Sequence, residues 1–213
     1  MTEFTLQQTS SVEQVLLREL NHRINNDLAS AISTVSLAAA RSNNEDVKIA
    51  LSGVSDLLHH YADVHHALQM PEDDAPIDAV EYLSQLCRSI SLSKLEHRGI
   101  KLVLSASPLW LQSDQCWRLG MIVYELITNA ARHAFFKSGG EIRVELSLEG
   151  ESVECRVLDN GSAPENIQPG CGLKIVNVLT KALDGRFEQQ FGAQGSTAAL
   201  AFPRNRGLNP LQL

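Results

Sequence analysis

A histidine, an arginine and two asparagines are grouped as His22-Arg23-Ile24-Asn25-Asn26 inside a run of helical periodicity. Further along stand Glu125-Leu126-Ile127-Thr128-Asn129-Ala130, then Asp159-Asn160-Gly161, Gly170-Cys171-Gly172-Leu173 and Gly195-Ser196-Thr197. A neutral imidazole nitrogen is a nucleophile toward a phosphoryl group. A carboxylate and a carboxamide four residues apart share a helix face and offer hard oxygens. Mg²⁺ takes few such ligands beside phosphate oxygens and water. Glycines at a helix start leave bare backbone N–H groups for a phosphate chain. Each piece is weak alone. In this order they describe a nucleotide pocket placed after a helical hairpin that carries a phosphorylatable histidine.

The histidine lies in a segment from about Ser11 to Ala40. Leu17, Leu20, Ile24, Leu28, Ala31, Val35 and Ala38 recur there in steps of three and four, one face of a helix. His22 falls midway between Leu20 and Ile24, which turns it away from that stripe. The same reading places Arg18, Glu19, Asn25 and Asn26 on its side. A solvated imidazole is in fair part neutral at pH 7. Arg18 and Arg23 would attract phosphate, and Asn25 and Asn26 would orient the ring or the attacking group. Taken by itself, the segment favours an ordinary surface histidine. The signatures downstream favour the chemical reading.

On the later helix, Glu125 and Asn129 share a face that His133 continues, and Arg132 adds a charge for phosphates. Asp159 ends a strand. Its carboxylate would accept a hydrogen bond from an adenine amino group, and Gly161 would let the base approach the backbone. Gly170-Cys171-Gly172, followed by Leu173, opens a helix. The spacing is neither a dinucleotide fingerprint nor a Walker loop, since the third glycine and the Gly-Lys-Ser/Thr are absent. In Gly195-Ser196-Thr197 the Thr197 hydroxyl would lie near the base, unless the run is simply a hairpin turn.

These groups need a scaffold. The 213 residues allow one large domain or two small ones, and a net charge of −7 argues against nonspecific nucleic-acid binding. No apolar run is long enough to span a membrane, and Met1 to Gln8 lacks a secretory pattern, so the expected location is cytoplasmic. Cys87, Cys116, Cys155 and Cys171 form no paired motif and read as reduced thiols. After a polar turn at Ser42 to Asp46, a second helix repeats Val47, Ala50, Val54, Leu57, Tyr61, Val64 and Leu68 as a heptad seam. The two helices make an antiparallel hairpin, and two hairpins would cover each other's seams as a four-helix bundle. His59, His60, His65 and His66, with Asp56 and Asp63, flank that seam and read as solvated faces rather than a metal site. Pro71 to Pro76 reads as a linker. Beyond it the pattern predicts helices at about 78–93, 113–136 and 172–183. Strands are predicted at about 100–105, 109–112, 141–146, 153–158, 186–191 and 197–202. Trp110, Trp117, Phe187 and Phe202 are read as core. Strands and helices mixed in this way give an α+β domain of two layers.

These elements resemble the sensor histidine kinases of two-component systems, over about Val12 to Pro203. The acceptor-helix subtype is the one reading His-Arg-x-x-Asn-Asn. The resemblance implies a dimerisation and phosphotransfer hairpin at 1–72, an ATP-binding α/β sandwich of the kind shared with gyrase and Hsp90 at 73–205, and a tail at 206–213. It implies ATP and Mg²⁺, with His22 as phosphoacceptor and Glu125 as acidic partner. Asn129 is then the Mg²⁺ ligand, with Arg132 in place of the usual lysine. Asp159 and Gly161 fall on the adenine box, Gly170 and Gly172 on the second glycine box, and Thr197 on the hydroxyl closing the adenine pocket. It further implies a homodimer, phosphotransfer to a response-regulator receiver domain, and input from a separate sensor protein, from the hairpin itself or from a part absent here. Several positions depart from the family pattern. No carboxylate follows His22 directly, which leaves Glu19, Glu125 or no residue as base. The 159–170 lid is short, and the tryptophan and histidine markers of a related subtype are missing. The alternatives are a histidine phosphotransfer adaptor with a vestigial ATP domain and a response-regulator phosphatase.

Overall fold

The computed structural model describes the backbone of residues 2–71, 75–135, 139–162, 171–192 and 195–205, and their side chains from residue 19 on, Cys171 excepted. The chain forms two compact units, Met1–Gln69 and Met70–Leu213.

The first unit is a helical hairpin of α1 (Thr2–Arg41) and α2 (Glu45–Ala67). Asn44 caps α2: its Oδ1 accepts from the backbone N–H groups of Asp46 and Val47, and Glu45 and Asp46 add favourable charge to the first turn. The side of α1 turned inward is rotated from the expected stripe. Ile24, Leu28, Ile32, Val35 and Ala39 are half-buried, whereas Leu20, Ala31 and Ala38 are exposed. Antiparallel packing on α2 selects the 24-28-32-35-39 row as the seam. The heptad read on α2 is likewise an outer row over its first half, where Val47, Ala50, Val54 and Leu57 are exposed. The row turned toward α1 is Leu51, Ser55, Leu58 and Ala62.

The second unit has two layers, as the patterning predicts. Its main sheet has the order β2-β4-β5-β7-β6, built from Ile100–Ala106, Gly140–Glu149, Ser152–Asp159, Gly195–Pro203 and Arg186–Gly192 respectively. All neighbours are antiparallel except β2 and β4. A parallel pair needs a long crossover, and α4 (Ser113–His133) supplies it. Period-two alternation buries Ile142, Val144, Leu146, Val153, Cys155, Val157, Ala198, Leu200 and Phe202 on one face. That face meets α3 (Ala79–Ile90), α4 and α5 (Cys171–Ala182), through Leu83, Leu86, Ile90, Leu119, Ile122, Ile127 and Val176. The opposite face carries paired charges: Lys101 and Arg143 on Glu141, and Arg156 on Glu154.

Local differences from the sequence reading have identifiable causes. Pro76–Asp78 is not linker but a short strand, β1, paired with β3 (Trp110–Gln112). Asp78 then caps α3, as its capping-box pattern predicts. Neither Ser113 nor Asp114 caps α4. The cap position is Gln112, whose side chain makes no capping bond to the helix, and Ser113 is buried as the first helical residue. The helix ends at His133, short of Phe136. Of the aromatic residues read as core, Phe202 is buried and Trp117 and Phe187 are half-buried, but Trp110 is 46% exposed on its short edge strand. Cys87, Cys116 and Cys155 are free and buried, and burial pushes each thiol up to about 12, which leaves them unreactive near neutrality. No group of three or more metal-ligating side chains occurs among the described residues. No helix among them is long and apolar enough to cross a membrane.

Candidate functional site

The second unit gathers its signature residues around the last two turns of α4. The chain leaving β5 folds back onto that helix end. Ser162 N–H donates to Ala134 O at 3.0 Å, and Gly161 lies so close to Ala134 that a Cβ would strike its carbonyl. Gly172, in the first turn of α5, faces the same helix one turn earlier. A Cβ on it would lie 2.5 Å from Glu125 Oε2 and 3.3 Å from Asn129 Nδ2. Glu125, Asn129 and the start of α5 are therefore side by side, as their spacing alone suggested but could not establish.

Glu125 and Asn129 are half-buried. Burial raises the Glu125 carboxyl above its ordinary range, and the positive charges of Arg132 and Lys94 oppose that rise. The pair presents hard oxygen donors beside the free amides of a helix N-terminus, a combination that fits Mg²⁺ and a phosphate chain. Arg132 and His133 are exposed at the end of the helix, where they can follow a phosphate rather than pack in the core.

Asp159 lies at the end of β5 and is buried. Its Oδ1 accepts from Gly161 N–H at 3.0 Å, and its Oδ2 accepts a short bond from Ser196 Oγ. Gly195 passes so close to the Asp159 carbonyl that no side chain fits, and its φ of 128° is glycine territory. Ser196, not Thr197, is the hydroxyl that meets Asp159. In the β5–β7 register Leu158 opposes Thr197, so Thr197 faces the charged side of the sheet. Choosing between the hydroxyls of Ser196 and Thr197 required the register, because a one-residue shift exchanges the faces. Ser196→Ala should leave Asp159 short of a partner, at a cost of about 1–3 kcal/mol. It should weaken adenine-nucleotide binding roughly tenfold by titration calorimetry, a loss of about 1.4 kcal/mol. Thr197→Ala should change neither.

The sequence reading also missed Lys94, which a π-helical turn at Ser91–Leu95 carries to 5.6 Å from the Tyr124 ring, beside Glu125. Nothing in its local sequence marked it. Leu173 is half-buried in the first turn of α5, and Gly170 lies outside the described residues.

In the first unit, His22 is exposed on α1, as expected. Glu19 pairs with Arg23 at 2.9 Å on the same exposed side. Asn25 does not share that side. It is half-buried, and its Oδ1 meets His65 Nδ1 of α2 at 3.1 Å.

Comparison with known proteins finds relatives over most of the chain. The family described as "Histidine kinase" matches residues 19–94, and the "Histidine kinase-like ATPase domain" family matches residues 96–192. Blue-light-activated histidine kinase 2 of Erythrobacter litoralis is 26% identical over 199 residues, 88% of this chain and 56% of that protein. Sensor histidine kinase PdtaS of Mycobacterium tuberculosis is 27% identical over 208 residues, 89% of this chain and 40% of that protein. Among solved structures, the histidine kinase domain of the Erythrobacter litoralis EL346 blue-light activated histidine kinase shares the fold. It has a TM-score of 0.61 at 22% identity, covering 84% of this chain and 96% of that one. The chain spans about half the length of the curated relatives it matches. Two contiguous family matches, over residues 19–94 and 96–192, with the acidic, asparagine and glycine signatures in order, place this chain in the histidine kinase family.

Proposed function

We propose that the chain is an ATP-dependent protein-histidine kinase that phosphorylates itself on His22 and passes the phosphoryl group to an aspartate of a response-regulator receiver domain. The observation that carries this reading is Gly172 set against Glu125 and Asn129, which brings the first turn of α5 beside that pair. Mg²⁺, when bound, neutralises charge on the β- and γ-oxygens. Asn129 would hold the metal, the first amides of α5 would bind phosphate oxygens, and Arg132 would add a positive charge. Asp159, oriented by Gly161 and Ser196, recognises the adenine amino group. In the transfer, a neutral His22 nitrogen forms a bond to the γ-phosphorus as the bond to the β–γ bridging oxygen breaks, and ADP leaves with that electron pair. The other ring nitrogen gives up its proton. Glu19 is engaged by Arg23, which leaves Glu125 as the acidic partner assigned to proton uptake. Incubation with γ-labelled ATP and Mg²⁺ tests the reading. An acid-labile, base-stable label on His22 supports it. Nucleotide binding without label leaves a regulator phosphatase, and no nucleotide binding leaves a phosphotransfer adaptor.

The active form in this proposal is a cytoplasmic homodimer joined through the hairpin. Val54 is 45% and Leu57 36% exposed on α2, and Leu20 and Leu37 are about half exposed on α1. A second hairpin would bury these rows as a four-helix bundle. Val54→Asp with Leu57→Asp should convert the dimer to monomer in sedimentation equilibrium. Placing two charges in such a seam costs several kcal/mol. A variant that remains dimeric would move the interface elsewhere.

A further inference from the structure

We propose that His65 is a positioning residue for the phosphoacceptor turn: by bonding Asn25, it holds α1 at one rotation about its axis where His22 leaves the helix. The inference rests on the reading of His22 as the acceptor and goes beyond it.

The seam between the two helices changes character along its length. In the half nearer the turn it is apolar, with Leu28, Ile32, Val35 and Ala39 on α1. At the level of His22 the half-buried residues on α1 are Asn21, Ile24 and Asn25, two of them polar. An apolar row tolerates small rotations, since dispersion contacts have little direction. A half-buried hydrogen bond does not, because its geometry is lost within a few tens of degrees. The bond from His65 Nδ1 to Asn25 Oδ1 spans 3.1 Å between residues forty apart in sequence. Carboxamide oxygen only accepts, so the ring donates through its Nδ1–H. Burial, with the neighbouring His66, lowers the pKa of His65, consistent with a neutral ring used as a neutral donor.

Asn25 lies three residues after His22, within about one turn and about 60° around the axis. Fixing the rotation of Asn25 therefore also fixes the direction in which His22, exposed beside the seam, leaves the helix. One further polar link across the hairpin, between the hydroxyls of Ser36 and Ser55 at 3.1 Å, lies about three turns nearer the loop. It sets the register of the hairpin and leaves the acceptor turn to His65. This also gives the four-histidine stretch of α2 an assignment. His59 Nδ1 lies 2.8 Å from Ser55 O of its own helix, and His60 Nδ1 lies 3.9 Å from Asp63 Oδ2 on the same helix. His65 is the histidine of the four for which a bond to α1 is seen.

The test uses the full dimeric chain with His65→Ala, His65→Gln, Asn25→Ala and the His65→Ala/Asn25→Ala double variant. Two measurements are made: the rate and ATP dependence of His22 labelling, and amide hydrogen exchange along α1. His65→Ala should lower kcat roughly tenfold to a hundredfold, as a small misplacement of a reacting group does. The KM for ATP should stay unchanged, since nucleotide is bound by the other unit. Exchange should rise at residues 19–28 and stay unchanged at 32–41. Asn25→Ala should do the same, and the double variant should be no worse than either single one, because both lose one bond. His65→Gln keeps a donor and should recover most of the rate. Unchanged exchange at 19–28, effects that add in the double variant, or a rise in KM that matches the fall in kcat would each overturn the assignment. Should no variant, nor the parent chain, ever label His22, the kinase reading fails on its own. The exchange pattern still decides whether His65 holds the turn.

Discussion

Changing His22 to alanine removes the γ-phosphate label from the chain while leaving nucleotide binding intact. The expected fall in labelling rate is at least about 10³-fold, the scale on which an enzyme loses its nucleophile. The fold should not interfere with this result. His22 is exposed on a helix, alanine is the better helix former, and a surface change of this kind moves stability by about 0.5 kcal/mol or less. Binding of an ATP analogue should match the parent chain within error, because Glu125, Asn129, Asp159 and Gly172 all belong to the other unit. Mass spectrometry of acid-sensitive, base-resistant adducts identifies the modified residue directly. A full label on the alanine variant would transfer the acceptor role to another side chain and end the present reading.

Asn129→Ala should be nearly as damaging for the opposite reason. It spares the nucleophile and removes an oxygen that holds the metal against the triphosphate. Losing one fixed electrostatic contact to developing charge costs roughly 10²–10³ in rate. Here the loss should appear both as weaker Mg²⁺-dependent binding of an ATP analogue and as slower labelling. Asn129 is half-buried, so thermal melting should be followed in parallel. A melting temperature within a few degrees of the parent, combined with lost binding, assigns the effect to the site. Mixing the two variants adds information if the protein is a dimer. Label that returns in the mixture means that one protomer's nucleotide phosphorylates the other protomer's histidine, and label that stays absent means transfer within one protomer.

The sequence carried most of the fold because its periodicities are strong and local. Five helices and the principal strands follow from steps of three and four or of two, and the caps at Asn44 and Asp78 follow from their residue types. The exceptions are elements whose existence depends on a distant partner. β1 holds only three residues and forms because Trp110–Gln112 lies opposite it. The inward stripe of α1 differs from the one read in sequence because alanine at 31, 38 and 39 gives little preference for either side. Packing against α2 then makes the choice.

The chemistry-bearing residues were legible by type and spacing: an imidazole on a polar helix face, a carboxylate and carboxamide four apart, an aspartate closing a strand, and glycines where backbone must come near a ligand. Their mutual arrangement was not, because it is fixed by contacts between residues far apart in the chain. Tertiary structure placed Gly172 against Glu125 and Asn129, chose Ser196 over Thr197 as the partner of Asp159, brought Lys94 to the acidic pair, and turned Asn25 inward to His65. Sequence periodicity determines which face a residue occupies only once the partner of that face is known, and only strand register and helix packing supply that partner.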